Sequence, residues 1–480
     1  MARQKYAKFE EHLNRFFHSN YYILLMAALT LWGWVTDNGD MSRGIMVSLS
    51  IIMFCICKNT IPFFAFQWFF IFAGHSSFYG INISGWRIVF PILLLIAIMF
   101  NSIRFKPDFK GALSKNSIKG STLSIILLII PMTLGGLTYP VRNINAVVVA
   151  SVIFIGIAFA YVYYMGVSKK NIIDKDSVMK YMIKLMFLLG VIVSIEMIVN
   201  FIKFDISYLG VTGLEYAQSV YLYWGGSNHI GAMLGLCISS NFYYMFKNRR
   251  TGFLFIIITF IELGLMIWTK SRGSLLFTAM TFPVLIIYTL IKAEKKIPLI
   301  ITATVLTAIT FSAIYFSKNA LMDMINRIME EGFDDTGRFE LWAHGLELFK
   351  EYPIFGAGWD YGVSYPDFGL SPMGLHSMFI QVMACSGIIG IVFFGYYYWA
   401  RYTTFLKKFT DETIIVLAGM FVLEAYGMID HISFLPPTYF VMLLLLSFAM
   451  EQSMPEDKCR PLLLKRLKWS KKAIKPQKTT

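Results

Sequence analysis

Long apolar runs separated by short polar segments fill most of the chain, with centres near Met26, Ser50, Trp68, Leu94, Ile129, Ile155, Val191, Leu236, Ile258, Pro283, Thr307, Gly390, Val422 and Leu444. A bilayer core about 30 Å thick needs roughly 17 to 25 apolar residues in helical form, and several of these runs stand near the lower limit. The pattern predicts an all-α polytopic membrane protein with about 14 transmembrane helices and both termini on one side. Between the eleventh and twelfth runs it breaks into a polar, acidic stretch rich in Gly and Pro, residues 317–376, which predicts a large loop on one face. The expected division is an amphipathic N-terminal segment over 1–20, a single transmembrane domain over 21–450 that contains the loop, and a basic tail over 451–480.

Inside the loop, Asp335 and Thr336 are good helix N-caps, and Phe339, Trp342, Leu346 and Phe349 recur at helical spacing before Pro353 stops the pattern. This predicts an amphipathic helix lying on the membrane face or on the helix bundle. The following GAGWDYG and SPMG segments read as turns.

Charge assigns the sides. Of 480 residues 56% are hydrophobic and only 15% charged, against about a quarter charged in soluble domains. The net charge of +14 is of the kind that cytoplasmic loops and tails give a membrane protein, and it does not require nucleic acid. Roughly 32 of the 43 Lys and Arg fall on the side of the N-terminus, about 10 on the other, and Lys184 inside a span. Residues 1–20 lack the apolar core and cleavage site of a signal peptide, so the termini are expected inside and the 317–376 loop outside. The tail from Lys458 either holds topology or binds acidic lipid headgroups. Cys55, Cys57, Cys237, Cys385 and Cys459 form no disulfide or zinc pattern.

On the outer side, where this rule makes cations scarce, Arg272 in TKSRGSLLF, Arg338 in TGRFELW and His376 in GLHSMF stand at or beside predicted membrane boundaries. A guanidinium makes paired hydrogen bonds to phosphate oxygens, and Arg338 stands at a helix start, where a cation is disfavoured. Interfacial anchoring is the alternative for both. A neutral imidazole at His376 can take a proton from a hydroxyl, or it is simply an interfacial residue. Asn228 and His229 begin a span next to Gly225 and Gly226, and line a substrate path or form an interfacial turn. Trp342, Trp359, Tyr361 and Tyr365 either stack on sugar rings or anchor the loop. Asp430 and His431 fall in the last outer loop, with a supporting role open to them. Glu196, Glu262, Glu424 and Lys184 lie within apolar runs, where they need internal partners or a polar cavity. No metal, Walker or dinucleotide motif appears.

Taken in order, SRG before a span, R-F-E-L-W, Y-P-I-F-G-A-G-W, and His at the head of a span with S-G-I-I-G resemble the O-antigen ligase and O-antigen polymerase family of bacterial polysaccharide assembly. The resemblance covers Ser271 to about Phe394, and YWGGSNHIGAML is similar to the Asn-containing motif that often precedes it. It implies a metal-independent glycosyltransferase of GT-C-like architecture, without cofactor, in the bacterial cytoplasmic membrane. Its donor would be an undecaprenyl-diphosphate-linked oligosaccharide, with Arg272 and Arg338 on the diphosphate and His376 preparing the acceptor hydroxyl. A chain-length regulator is a conceivable partner. Family members commonly carry His-Asn where this chain has His376 and Ser377. Polymerase is the first reading, and ligase, with lipid A core as acceptor, differs from it only in acceptor. A lipid-linked oligosaccharide flippase is the alternative from another class, but it should place cations along a central cavity, where only Lys184 is evident.

Overall fold

All fourteen predicted centres lie on helical residues in the computed structural model, which describes residues 2–74, 86–114, 121–140, 144–169, 175–203, 220–316, 337–359, 374–407, 409–430 and 437–453. Asp335, Thr336, Tyr361, Tyr365, His431, most of the 317–376 loop and the basic tail fall outside the described residues. Among the described residues every regular element is helical. Among the described residues five helices are long and apolar enough to cross a membrane: Gly39–Ile56, Ala150–Lys169, Ser177–Lys203, Arg272–Lys292 and Met378–Phe405. The remaining centres lie on further apolar helices, and together they make this a multi-pass membrane protein.

Two centres depart from a plain span. Near Trp68 the chain forms Phe63–Phe69 followed by a single 3-10 turn, Phe70–Phe72. Near Ile129 it forms Leu123–Leu127 and Ile129–Leu134. At about 1.5 Å per residue each region advances less than ~20 Å. Pro62 precedes the first, while Pro131 and Gly135 limit the second, removing an amide donor and ending the helix.

The chain divides into two units. The first comprises Met1–Lys106, Lys180–Gly337 and Ile414–Met442. Its centre is the helix Ser227–Lys247, buried along most of its length and packed by Gly252–Trp268 and Arg272–Lys292. Lipid tails are as apolar as leucine, so such helices associate by close packing of small residues. A Cβ on Gly231 would stand 2.6 Å from Ser274 Oγ, and one on Gly235 would stand 2.9 Å from Thr278 Oγ1. Two small residues four apart on one helix thus face two on the other. The buried carboxylates have neutral donors: Glu196 Oε2 accepts from Trp224 Nε1 at 2.7 Å, and Glu262 Oε2 from Asn241 Nδ2 at 2.7 Å. Lys184 Nζ donates to Asn20 Oδ1 at 2.6 Å.

The second unit comprises Pro107–Met179, Arg338–Thr413 and Leu443–Thr480. Its longest helix, Met378–Phe405, is interrupted at Gly387, whose φ of 60° and ψ of −150° are not helical. The segment after Pro353 docks on the break. Ile388 and Ile389 N–H donate to the Pro353 and Ile354 carbonyls at 2.8 and 3.3 Å. In return Ala357 and Gly358 N–H donate to the Ala384 and Cys385 carbonyls at 2.7 and 3.0 Å. Peptide groups left open by the break are thereby satisfied, as a nonpolar surrounding demands.

Lys184 is not alone among cations within long helices. Arg43, on Gly39–Ile56, donates to the carbonyls of Phe70, Ile71 and Gly74. Arg401, fully buried on Met378–Phe405, hydrogen-bonds Tyr397 Oη and lies 4.5, 5.2 and 5.2 Å from the rings of Tyr397, Tyr398 and Tyr402. Both guanidiniums are engaged by protein groups.

Candidate functional site

In the first unit three stretches far apart in sequence meet at helix ends. Ser271 stands at the N-cap position of the helix Arg272–Lys292 with its hydroxyl turned elsewhere, and Lys270 just before it adopts a left-handed φ of 53° that turns the chain into the helix. The Ser271 Oγ lies 2.8 Å from Ser274 Oγ and 2.9 Å from Tyr426 Oη, all three groups being buried. Gly273 completes the contact, since a Cβ there would stand 2.3 Å from the Tyr426 ring. Arg272 is exposed, as is Lys270 before it. A serine, a glycine and a tyrosine below thus leave the guanidinium presented at the helix end.

Asn228 joins the same region. Its Nδ2 donates to Asp430 Oδ2 at 2.9 Å, and the Asp430 N–H in turn donates to the Tyr426 carbonyl at 2.9 Å. His229 is half-buried, its ring 5.8 Å from that of Tyr439 in edge-on contact. The turn before them is tied down by Trp224 on Glu196 and by the Leu222 carbonyl, which accepts from Trp34 Nε1 at 3.3 Å. Tyr223 adopts a φ of 63°, so the YWGGSNH turn holds a backbone conformation that side chains seldom take.

The second unit holds Arg338, Trp342, Trp359 and His376. The predicted amphipathic helix spans Arg338–Glu351 and stops before Pro353. Its buried face differs from the expected one. Leu341, Gly345 and Leu348 pack with Leu375, Ala357 and Ala384, while Phe339 and Leu346 are 65% and 38% exposed. Gly345 decides the rotation: a Cβ there would stand 2.5 Å from Ile380 Cγ2, so this is the face that approaches the neighbouring helix most closely. Of the expected stripe only Phe339 and Leu346 stay exposed, while Trp342 and Phe349 are half-buried, with Phe339 against Trp342 at 5.5 Å. The Trp342 Nε1 is buried without a hydrogen-bond partner among the described residues. Arg338 is half-buried at the helix start.

His376 immediately precedes the helix Met378–Phe405 and is half-buried, with a left-handed φ of 46°. Its neighbours hold it there. The buried Leu375 donates its N–H to Gln381 Oε1 at 2.7 Å, and Ser377 caps the helix, its Oγ accepting from Ile380 N–H at 3.4 Å. Ser377 is thus occupied as a cap. Such a backbone costs on the order of 1 kcal/mol and persists where surrounding contacts over-determine it.

Trp359 uses its indole N–H structurally, donating to the Pro131 carbonyl at 3.1 Å. Ser386 Oγ donates to the same carbonyl at 3.1 Å, and Gly136 N–H donates to the Phe355 carbonyl at 2.9 Å. The short helices around Ile129, Y-P-I-F-G-A-G-W and S-G-I-I-G form one junction in this unit.

Sequence inspection separates Asn228, Arg272 and Asp430, which the first unit brings together. It gives no signal for Tyr426, an aromatic residue at the end of an apolar run. Among the described residues no group of three His, Cys, Asp or Glu side chains gathers as a metal would require. Comparison with protein families matches residues 253–395 to the model described as O-antigen ligase, covering Arg272, Arg338 and His376. No protein of curated function matches the chain.

Proposed function

With residues 253–395 assigned to the O-antigen ligase family, we propose that the chain is a membrane glycosyltransferase that polymerises undecaprenyl-diphosphate-linked repeat units of a surface polysaccharide at the outer face of the bacterial cytoplasmic membrane. About 14 helices cross the bilayer in a GT-C-like arrangement, with both termini inside and the 317–376 loop outside. The single observation that carries the reading is the family match over all three candidate residues, Arg272, Arg338 and His376.

In this reading Arg272 and Arg338 bind the donor diphosphate with paired, charge-assisted hydrogen bonds. They stabilise the negative charge that grows as the diphosphate leaves, so the reaction needs neither a protonated acid nor a metal. His376 takes the proton of the acceptor hydroxyl, which attacks the anomeric carbon as its bond to the diphosphate oxygen breaks, with inversion of configuration. Asp430 and Asn228 support the Arg272 turn, and Trp342 and Trp359 stand beside the acceptor path. The match to an O-antigen ligase family supports a second reading, ligation of the same donor to another acceptor such as lipid A core.

Purified protein with an undecaprenyl-diphosphate-linked repeat distinguishes these. Longer lipid-linked glycan is the expected product. Transfer only when lipid A core is added identifies a ligase, and transbilayer movement without a new glycosidic bond identifies a flippase and ends the enzymatic reading.

A further inference from the structure

The helix Ala2–Phe17 takes no part in the proposed reaction, yet the first unit holds it in a definite position. Its last turn packs at the start of the helix Asn20–Val35, where the rings of Phe16 and Phe17 stand 5.9 and 5.2 Å from that of the buried Tyr22, both edge-on. About two turns earlier, Glu10 Oε1 accepts from Arg104 Nη2 at 2.7 Å, at the end of the helix Trp86–Phe105. The other terminal nitrogen of the same guanidinium donates to the Cys55 carbonyl at 2.6 Å, at the end of the helix Gly39–Ile56. A helix continuing the direction of Asn20–Val35 would carry Glu10 roughly 10 Å beyond these ends. Ala2–Phe17 instead lies across them. Apolar helices end where acyl chains give way to headgroups, so the crossing helix runs in the membrane plane at that level.

Its faces are sorted accordingly. At 3.6 residues per turn Phe9, Leu13, Phe16 and Phe17 fall within an arc of about 100°. Phe17 is buried against the unit, Leu13 and Phe16 are half-buried, and Phe9, towards the other flank, is 58% exposed. Lys8, Glu11 and Arg15 stand on the opposite side, all exposed. Their charge does not hold the helix down, because Arg15 is paired with Glu11 at 2.5 Å and Glu10 with Arg104. The apolar flank is left to do so. We propose that Ala2–Phe17 is an interfacial helix seated on lipid: Phe9 enters the acyl carbons next to the headgroups, and Lys8, Glu11 and Arg15 stand among the headgroups themselves. Lipid rather than a protein partner is the occupant, because the exposed Tyr21 and Leu24 on Asn20–Val35 and Ile103 on Trp86–Phe105 already bring it to this level.

The test uses the full chain in vesicles of phosphatidylethanolamine and phosphatidylglycerol, with a nitroxide attached at Phe9→Cys, Lys8→Cys, Glu11→Cys or Arg15→Cys, one position at a time. Cys55 and Cys459 are changed to serine, Cys57, Cys237 and Cys385 are buried, and the parent without an added cysteine sets the background. Power saturation then compares collisions with oxygen, which concentrates in acyl chains, and with a water-soluble nickel chelate. Position 9 should favour oxygen several-fold, and positions 8, 11 and 15 should favour the nickel chelate. Nickel accessibility at position 9 equal to that at position 11 would place the helix in water. Shielding of position 9 from both reagents would show protein covering it, and oxygen preference at all four positions would sink the helix below the interface. Each of these three results overturns the proposal. All four labelled residues are exposed, unchanged melting temperatures verify folding, and the readout involves no turnover, so its outcome is separate from that of the proposed reaction.

Discussion

The Ser271 hydroxyl lies 2.9 Å from the phenol of Tyr426, a residue 155 positions further along the chain, and immediately precedes Arg272. This contact connects the end of one helix to the start of the helix that presents the guanidinium. Tyr426→Phe keeps the ring that packs on Gly273 and removes only the hydrogen bond, worth about 1 kcal/mol. Turnover should fall roughly fivefold with unchanged folding. In an Arg272→Lys background the same change should have little further effect. A full fivefold loss in both backgrounds would reduce the tyrosine to packing.

Arg272→Lys and Arg338→Lys should each lower activity about ten- to more than a hundredfold while the protein still inserts, because an ammonium cannot make the paired contacts of a guanidinium. Polymer length at matched expression is the measurement. Wild-type polymer from both variants would leave the arginines as interfacial anchors.

His376 needs a replacement that tolerates its left-handed backbone, and asparagine does so better than alanine. His376→Asn should keep the melting temperature and donor binding while reducing the transfer rate by roughly 10² to 10⁴. An unchanged rate, or a product that retains the donor's configuration, would exclude the general-base role.

Gly387→Ala tests the helix break. The new methyl carbon would stand 2.5 Å from the carbonyl oxygens of Pro353 and Ile354, on a residue with φ of 60°. The backbone alone costs about 1 to 3 kcal/mol, and the clash adds to it. Gly395→Ala in the same helix meets nothing within 4 Å and should be neutral or slightly stabilising. Thermal melting in detergent should separate the two variants, and equal melting points would contradict the description of the junction.

Orientation is tested by single cysteines. With the termini inside, an impermeant thiol reagent should label position 335 and spare position 292. The opposite pattern would invert the topology and remove the site from the outer face.

The helices were legible because a bilayer imposes one simple requirement, and even the broken element near Ile129 announced itself as an apolar run. What escaped was rotation and breakage. Phe339, Trp342, Leu346 and Phe349 mark an apolar stripe, yet the adjacent face of Leu341, Gly345 and Leu348 turns inward, because close approach between helices rewards the absence of a side chain. Arg272, Arg338 and His376 were visible as unusual cations and a lone imidazole in a family pattern. The Tyr426 and Asp430 contacts were not, since hydrogen bonds between distant helix ends leave no periodicity in the chain. The interior carboxylates were readable as needing partners, but a Trp and an Asn supply them without any charge pattern.

At Gly387 the 353–358 segment is fastened by four peptide hydrogen bonds, to which the Trp359 indole and the Ser386 hydroxyl add contacts with the Pro131 carbonyl. Peptides do not titrate, and their pairing is indifferent to which side chains flank them. The attachment of the 353–358 segment should therefore hold across pH and ionic strength. Its hereditary record should be sparse: among related chains the side chains of Ile354, Phe355 and Ile388 are free to drift, while a methyl group at position 356 or 387 is refused by the neighbouring backbone. A mechanical joint of this kind can outlast the sequence similarity around it.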